Sequence, residues 1–448
     1  MNLKLQNENE KAGKSGSLFV HLMMILRHGR NPFVAVLIGL GLFIGTIYTS
    51  VPLSEFWVKN VDLKPGMVAA MGVTPNFDTF QGSILQEMAF ANSKILPLYG
   101  SSEMSMIYDY HPAQVFTPET GVTPFLIGKG GTQTLIHVLN LAALGDEVRG
   151  KKLAIFLTPQ WFGSGGISES TFAGNFSALH AYEIMQNPQL SPQLKQEVAQ
   201  RLLQFPTAYQ DFPYLEKLLA LQAKPGWSSP ILRLVYAVPS QMEYASLALQ
   251  DAVKTDWQVK RLPRQTVARY SGNASKLQIA SSQVKKSPGA VAYSPIRLQW
   301  DQLRTQAVRE GKASTDNNPF GMDNGFYASN ILPKLQEREG SDKNAEYSSS
   351  PEYSDLKLLM KVLKEEGAKP LFVILPMNGR WSDYTGISST ERQNGYQRLA
   401  QMVQTEGFAL ADFSSHEKDD YYLRDPWHLA WKGWVDVDEA LDQFYRSN

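Results

Sequence analysis

The chain contains no cysteine. That absence excludes disulfides, thiolate metal sites and cysteine nucleophiles together, and it leaves the compartment open, since exported proteins also fold without disulfides. An excess of charge is missing too. With 43 basic and 43 acidic residues, no overall positive field points to nucleic acid, so a polyanionic partner must be met by a local patch. Histidine is sparse, at 7 in 448 residues. None stands in a His-Glu-x-x-His or comparable ligand spacing, so no metal is expected. No Gly-x-x-x-x-Gly-Lys-Ser/Thr follows a strand, which argues against nucleotide binding, and no other cofactor is implied. There is no internal repeat and no heptad run. What remains is 43% hydrophobic residues, ample for a real core in one large domain or two ordinary ones.

The longest uncharged run is FVAVLIGLGLFIGTIYTSV at 33–51. It spans about nineteen residues, or roughly 28 Å of helix at about 1.5 Å per residue, enough to cross a bilayer. A buried globular helix is the bland alternative, but core helices are rarely so uniformly apolar. The run is also longer than a signal-peptide core, and no small-x-small cleavage site follows it. Lys11, Lys14, Arg27 and Arg30 precede it, whereas the flank after it mixes Glu55 and Asp62 with Lys59 and Lys64. The positive-inside bias therefore predicts a cytoplasmic segment 1–32, a transmembrane helix 33–51 and an extracytoplasmic domain 52–448. A second apolar stretch at 18–26 is too short to span and either lies along the inner membrane surface or begins the same helix.

Short apolar runs followed by turn residues recur at Ile95–Tyr99, 153–158 and 371–375, with a weaker one at 408–411. These read as buried parallel strands. Helical composition at 353–366, ending at Gly367, and at 390–403 supplies the crossovers of an α/β sheet. The residues after the strands would gather at one sheet edge, where open α/β folds bind ligands. Between 163 and 350 the character changes: 188–219 and 295–309 look helical, while 256–288 and 342–351 are polar and poor in apolar residues. This predicts a long, mainly helical insertion over or beside the cleft. Asn317 to Gly321 reads as a turn.

Two short elements carry chemistry. Gly100-Ser101-Ser102-Glu103 follows the first strand, and Asp425-Pro426-Trp427-His428 lies near the far end. A serine hydroxyl becomes a useful nucleophile when an imidazole takes its proton and a carboxylate fixes that imidazole. A strand ending in a tight Gly turn exposes the hydroxyl beside amide N–H groups that stabilise an oxyanion. Asp425 alternatively reads as a helix N-cap, a role compatible with the first. His111, His137, His180 and His416 are rival bases, but none sits in an Asp-x-x-His element.

With these pieces in place, the sequence resembles the DltD family, membrane-anchored proteins of the Gram-positive system that esterifies lipoteichoic acid with D-alanine. The resemblance covers nearly the whole chain. It rests on the single N-terminal apolar segment, Gly100-Ser101-Ser102-Glu103, Gly128-Lys129-Gly130-Gly131-Thr132-Gln133 and Thr158-Pro159-Gln160-Trp161-Phe162. Further support comes from Asn318-Pro319-Phe320-Gly321, Pro376-Met377-Asn378-Gly379-Arg380-Trp381, and Asp425 to His428 followed by Trp431-Lys432-Gly433-Trp434. The family looks like a distant branch of the SGNH hydrolases, with a Gly-x-Ser nucleophile and a C-terminal Asp-x-x-His. Carried over, this implies Ser102 as nucleophile, with Ser101 the runner-up, His428 as base and Asp425 as its orienting carboxylate. The class pattern has an Asn after a later strand where this chain has Gln160, whose amide can also donate; Gly130 is implied as a second oxyanion donor.

The resemblance implies transfer of D-alanine to glycerol-phosphate hydroxyls through a D-alanyl-Ser102 ester. It also implies the multipass acyltransferase DltB as membrane partner and the carrier DltC as upstream donor. Lys129 and Arg380 are candidates for acceptor phosphates, and Trp161 and Trp381 for lining the cleft. Two other readings stay open: an esterase or thioesterase releasing D-alanine to water, and a non-catalytic scaffold that recruits the acyltransferase.

Overall fold

The structure is a computed structural model that describes residues 32–74, 81–270, 296–347 and 349–447. It separates into two compact units, residues 1–53 and 54–448. The first holds most of the helix Pro32–Trp57, 26 residues without a basic side chain in its last turn or an acidic one in its first. It is long and apolar enough to cross a membrane, and its Val36, Leu37, Leu40 and Leu42 side chains are half or more exposed. The stretch at 18–26 and the preceding cations lie outside the described residues.

The second unit is built on five parallel strands in the order β2-β1-β3-β4-β5: β1 Ile95–Tyr99, β2 Thr123–Ile127, β3 Lys152–Leu157, β4 Lys369–Ile374 and β5 Ala409–Asp412. Strands buried on both faces need apolar residues at every position, and alternate side chains go to opposite layers. Leu153, Ile155 and Leu157 of β3 join one core with the helices Thr134–Leu144, Glu352–Glu366 and Ser389–Thr405. Ala154 and Phe156 join the other, with the helix Trp431–Arg446 and Ala307 of the helix Trp300–Ser314.

Four of the strands lie where the apolar runs predict them. The fifth, β2, does not announce itself, because its apolar run at 125–127 is only three residues long after Pro124. The structure tolerates that proline because β2 is the sheet edge, paired only with β1 at Leu96↔Pro124. Helix Glu352–Glu366 stops as expected at Gly367, which takes φ +70°. The predicted helix at 188–219 is in fact two, Pro192–Leu202 and Pro213–Ala223, separated by a short 3-10 turn and the proline that starts the second. The described residues between β3 and β4 are mainly helical, and the longest element among them is the 33-residue helix Ser229–Arg261, which runs into the stretch expected to be merely polar.

Candidate active site

β1 delivers Gly100 to the carboxyl edge of the sheet, where its N–H donates to Ile127 O at 3.0 Å, one residue beyond the strand. The loop after β2 then crosses this turn at close range. A Cβ on Gly128, which takes φ +145°, would stand 2.0 Å from Gly100 O, so only glycine fits there. The two serines are separated by what they bind. Ser101 is buried; its N–H donates to Glu103 Oε1 at 2.8 Å and its hydroxyl to Lys129 O at 3.3 Å. Ser102 starts the 3-10 turn Ser102–Met104, and its Oγ lies 2.7 Å from His428 Nε2.

His428 is held by a tight loop. Its Nδ1 lies 2.7 Å from Asp425 Oδ2, and Asp425 Oδ1 accepts the amides of Trp427 and His428 at 2.8 and 2.9 Å. These are the amide bonds of a capping aspartate, but no helix begins there; the next starts at Trp431. The Asp425 carboxylate instead serves the ring and its own loop. Arg424 N–H donates to His428 O at 3.0 Å and Leu423 bridges Leu429, closing the loop. Two other motifs grip it from outside: Asn378 N–H donates to Pro426 O at 2.9 Å and Asp323 N–H to Arg424 O at 2.7 Å. Asn378 also donates through Nδ2 to Phe320 O at 3.0 Å and accepts Trp381 N–H at 3.0 Å. The Asn318 and Asn378 turns thus position the His428 loop.

The proton arrangement follows from chemistry. An ionised carboxylate only accepts, so Nδ1 carries the ring proton toward Asp425 and Nε2 is left to accept from the Ser102 hydroxyl. Burial opposes charging His428, but the hydrogen bond and charge of Asp425, with a contribution from Glu103, outweigh it and raise the pKa above its ordinary value. Glu103 is itself buried, which pushes its carboxyl up, while the Ser101 amide, its own amide and the charge of His428 act in the other direction. Its role in fixing the turn is legible only in three dimensions. His111 belongs to the same support: Nε2 bonds Glu103 O at 2.9 Å, Nδ1 accepts the Ala113 amide at 3.1 Å, and burial lowers its pKa to about 4.

Gln160 sits half-buried on the 3-10 turn Pro159–Phe162 after β3, and no hydrogen bond engages its side chain among the described residues. The amides of Ser102 and Gly130 likewise find no acceptor there, and open space lies beside Gly130. A cavity of about 10 Å³ lined by Ser101, Thr158, Trp161 and Glu352 joins the turn after β1 to the turn after β3. Glu352 anchors that junction by accepting Thr134 N–H at 2.6 Å.

The remaining candidates are distributed differently. Lys129 Nζ donates to Gly174 O at 3.0 Å, and Arg380 pairs with Asp420 at 2.7 Å. Trp161 is half-buried with its ring nitrogen turned inward, whereas Trp381 is a packing residue, edge-on to Phe320 at 5.1 Å. His137 and His180 are buried and held neutral by burial, and His416 lies on the surface against Asp419.

A family model described as DltD protein matches residues 72–446. The chain belongs to the DltD family. It is 35% identical to Protein DltD of Bacillus subtilis (strain 168), over 83% of this chain and 88% of that one. It is 28% identical to Protein DltD of Staphylococcus aureus (strain NCTC 8325 / PS 47), over 92% and 95%, and 28% identical to that of Lacticaseibacillus rhamnosus, over 85% and 83%. DltD proteins function in the D-alanylation of teichoic acids, and all three residues of the Ser102–His428–Asp425 chain fall within the family match.

Proposed function

We propose that this chain is an extracytoplasmic O-acyltransferase that carries D-alanine to hydroxyls of lipoteichoic acid. The observation that supports it best is the unbroken chain from Ser102 Oγ to His428 Nε2 and from His428 Nδ1 to Asp425, 2.7 Å at each link. Ser102 Oγ attacks the carbonyl carbon of a D-alanyl ester or thioester as His428 Nε2 takes its proton. The tetrahedral oxyanion is met by the Ser102 amide, the Gln160 side chain and the Gly130 amide. Its collapse breaks the bond to the leaving oxygen or sulfur, which receives the proton from His428, and leaves D-alanyl-Ser102. A glycerol-phosphate hydroxyl then gives its proton to His428 Nε2 and attacks the ester carbonyl; collapse breaks the bond to Ser102 Oγ, which takes that proton back from His428, and leaves D-alanine on the polymer hydroxyl.

The helix Pro32–Trp57 serves as the anchor, with the N-terminus in the cytoplasm and residues 52–448 outside. A donor assembled at the membrane by DltB, from D-alanine loaded on DltC, fits that topology. Trp161 lines the cleft, and Lys129 and Arg380 reach acceptor phosphates by exchanging Gly174 O and Asp420. Polymer-bound D-alanine is measured in cells whose only copy carries Ser102→Ala or His428→Ala, after checking membrane abundance. Loss of the ester in both supports the reading; normal D-alanylation overturns it and favours a scaffold. Release of D-alanine to water by the wild-type chain, with no transfer to polymer, favours an esterase.

A further inference from the structure

The helix Ser229–Arg261 has two apolar faces. One, with Ala245, Ala248, Ala252 and Val259, is buried in the folded unit. The other carries Ile231, Leu234, Val235, Leu249, Val253 and Trp257, exposed at 61, 78, 61, 36, 68 and 51%. At about 100° per residue these six fall within an arc of about 140°, and from first to last they cover roughly 40 Å. Scattered apolar residues on a surface need no explanation, but here two clusters, 231–235 and 249–257, with Met242 (45% exposed) between them and Pro239 in the helix, lie in one arc, and a face of this length meets something other than water.

Three features identify the occupant. Trp57 ends the apolar helix, and the next turn, Val58–Asp62, packs against Ser229–Arg261 within the folded unit. The stripe therefore belongs to the part of the fold beside which the chain leaves the apolar segment. Second, its end is basic: Lys254, Lys260, Arg261, Arg264 and Arg269 are exposed, against the single carboxylate Asp256 in 254–270. Third, Arg261 lies over the Trp257 ring at 3.4 Å, so an aromatic and a cation share one spot. An apolar stripe bordered by tryptophan and cations is the composition of a helix lying in a bilayer interface, with rings at headgroup level and cations on lipid phosphates.

The geometry points to the exposed face of Ser229–Arg261 as a membrane-docking surface that rests on the outer lipid leaflet and holds the folded unit against it. This goes beyond the proposed chemistry and rests only on Pro32–Trp57 being the span. Because the chain has no cysteine, single-cysteine variants report single positions. Full-length Leu234→Cys and Val253→Cys chains are labelled with an environment-sensitive fluorophore and placed in phosphatidylglycerol and phosphatidylethanolamine vesicles, with and without doxyl-labelled lipid. Leu40→Cys in the apolar helix and the exposed Gln401→Cys are the references. The expected result is quenching of more than half the emission at positions 40, 234 and 253 and none at 401. Quenching at 40 without quenching at 234 and 253 overturns the docking and assigns the face to a protein partner. Absence of quenching at 40 removes the span, and the docking with it, and leaves the Ser102 chemistry untouched.

Discussion

Two histidine–aspartate pairs stand twelve residues apart, and only one has the makings of a base. His416 Nδ1 meets Asp419 at 2.9 Å and His428 Nδ1 meets Asp425 at 2.7 Å, both across three residues of sequence. Asp419, partly exposed, is shared with Lys432 at 2.9 Å, and the His416 ring stacks flat on Tyr422 at 4.5 Å. Asp425 is 2% exposed, has no cation competing for its His-facing oxygen among the described residues, and aims His428 at a hydroxyl. A His–Asp contact is common surface chemistry. Burial of the carboxylate and a nucleophile on the far nitrogen are what distinguish a general base.

The contrast breaks hardest at Asp425. Asp425→Asn keeps the shape but removes the charge and the acceptor that fixes the ring tautomer, so the transfer rate should fall about 10⁴-fold. The pH profile carries the same information. Because the His428 pKa is raised above 6.5, the neutral base in the wild type is lost on acidification at a pH above that value. In the Asn variant burial is no longer outweighed, and the acid limb of the residual activity moves down. The sign for stability is opposite: the raised pKa stabilises the fold below about pH 6.5 and that contribution disappears as pH rises through the folded-state pKa. An unshifted limb in the Asn variant would detach His428 from the reaction.

Gln160→Ala sharpens the account of the oxyanion. Its amide makes no bond within the described residues, so removing it should lower turnover by about 10²–10³-fold while leaving the melting temperature unchanged. A drop in melting temperature with normal turnover would make Gln160 structural. His416→Ala is the control at the small end. It removes a partly exposed pair that contributes at most about 1 kcal/mol, so transfer should stay at the wild-type rate, and a large loss would erase the distinction between the two pairs.

Much of this site was legible because its chemistry needs particular residue types at particular places. The strand before Gly100 is apolar on both sides of Pro97, and Asp-x-x-His follows near the end of the chain. What escaped the sequence has physical causes. β2 escapes because its uninterrupted apolar run, 125–127, is only three residues long; a proline alone does not hide a strand, since β1 and β4 carry Pro97 and Pro370. Glu103 gives no sign that its carboxyl will turn back on the Ser101 amide. Asn318 and Asn378 read as loop residues, yet their turns hold the His428 loop from two sides, contacts between segments far apart in sequence. The helix Ser229–Arg261 was missed because its apolar residues are divided between a buried and an exposed face, which blurs the single stripe expected of a core helix. Nor does the sequence show that Lys129 and Arg380 are already engaged, by Gly174 O and by Asp420, partners 45 and 40 residues away in the chain.

The central claim is that Ser102, and not Ser101, carries the acyl group. The direct measurement is the mass of the peptide containing both serines, taken from active membranes quenched with acid during turnover, with fragmentation to place any adduct. The account predicts a D-alanyl ester on Ser102 that is absent from the His428→Ala chain. An adduct on Ser101, or none in membranes that are actively D-alanylating their polymer, would contradict it.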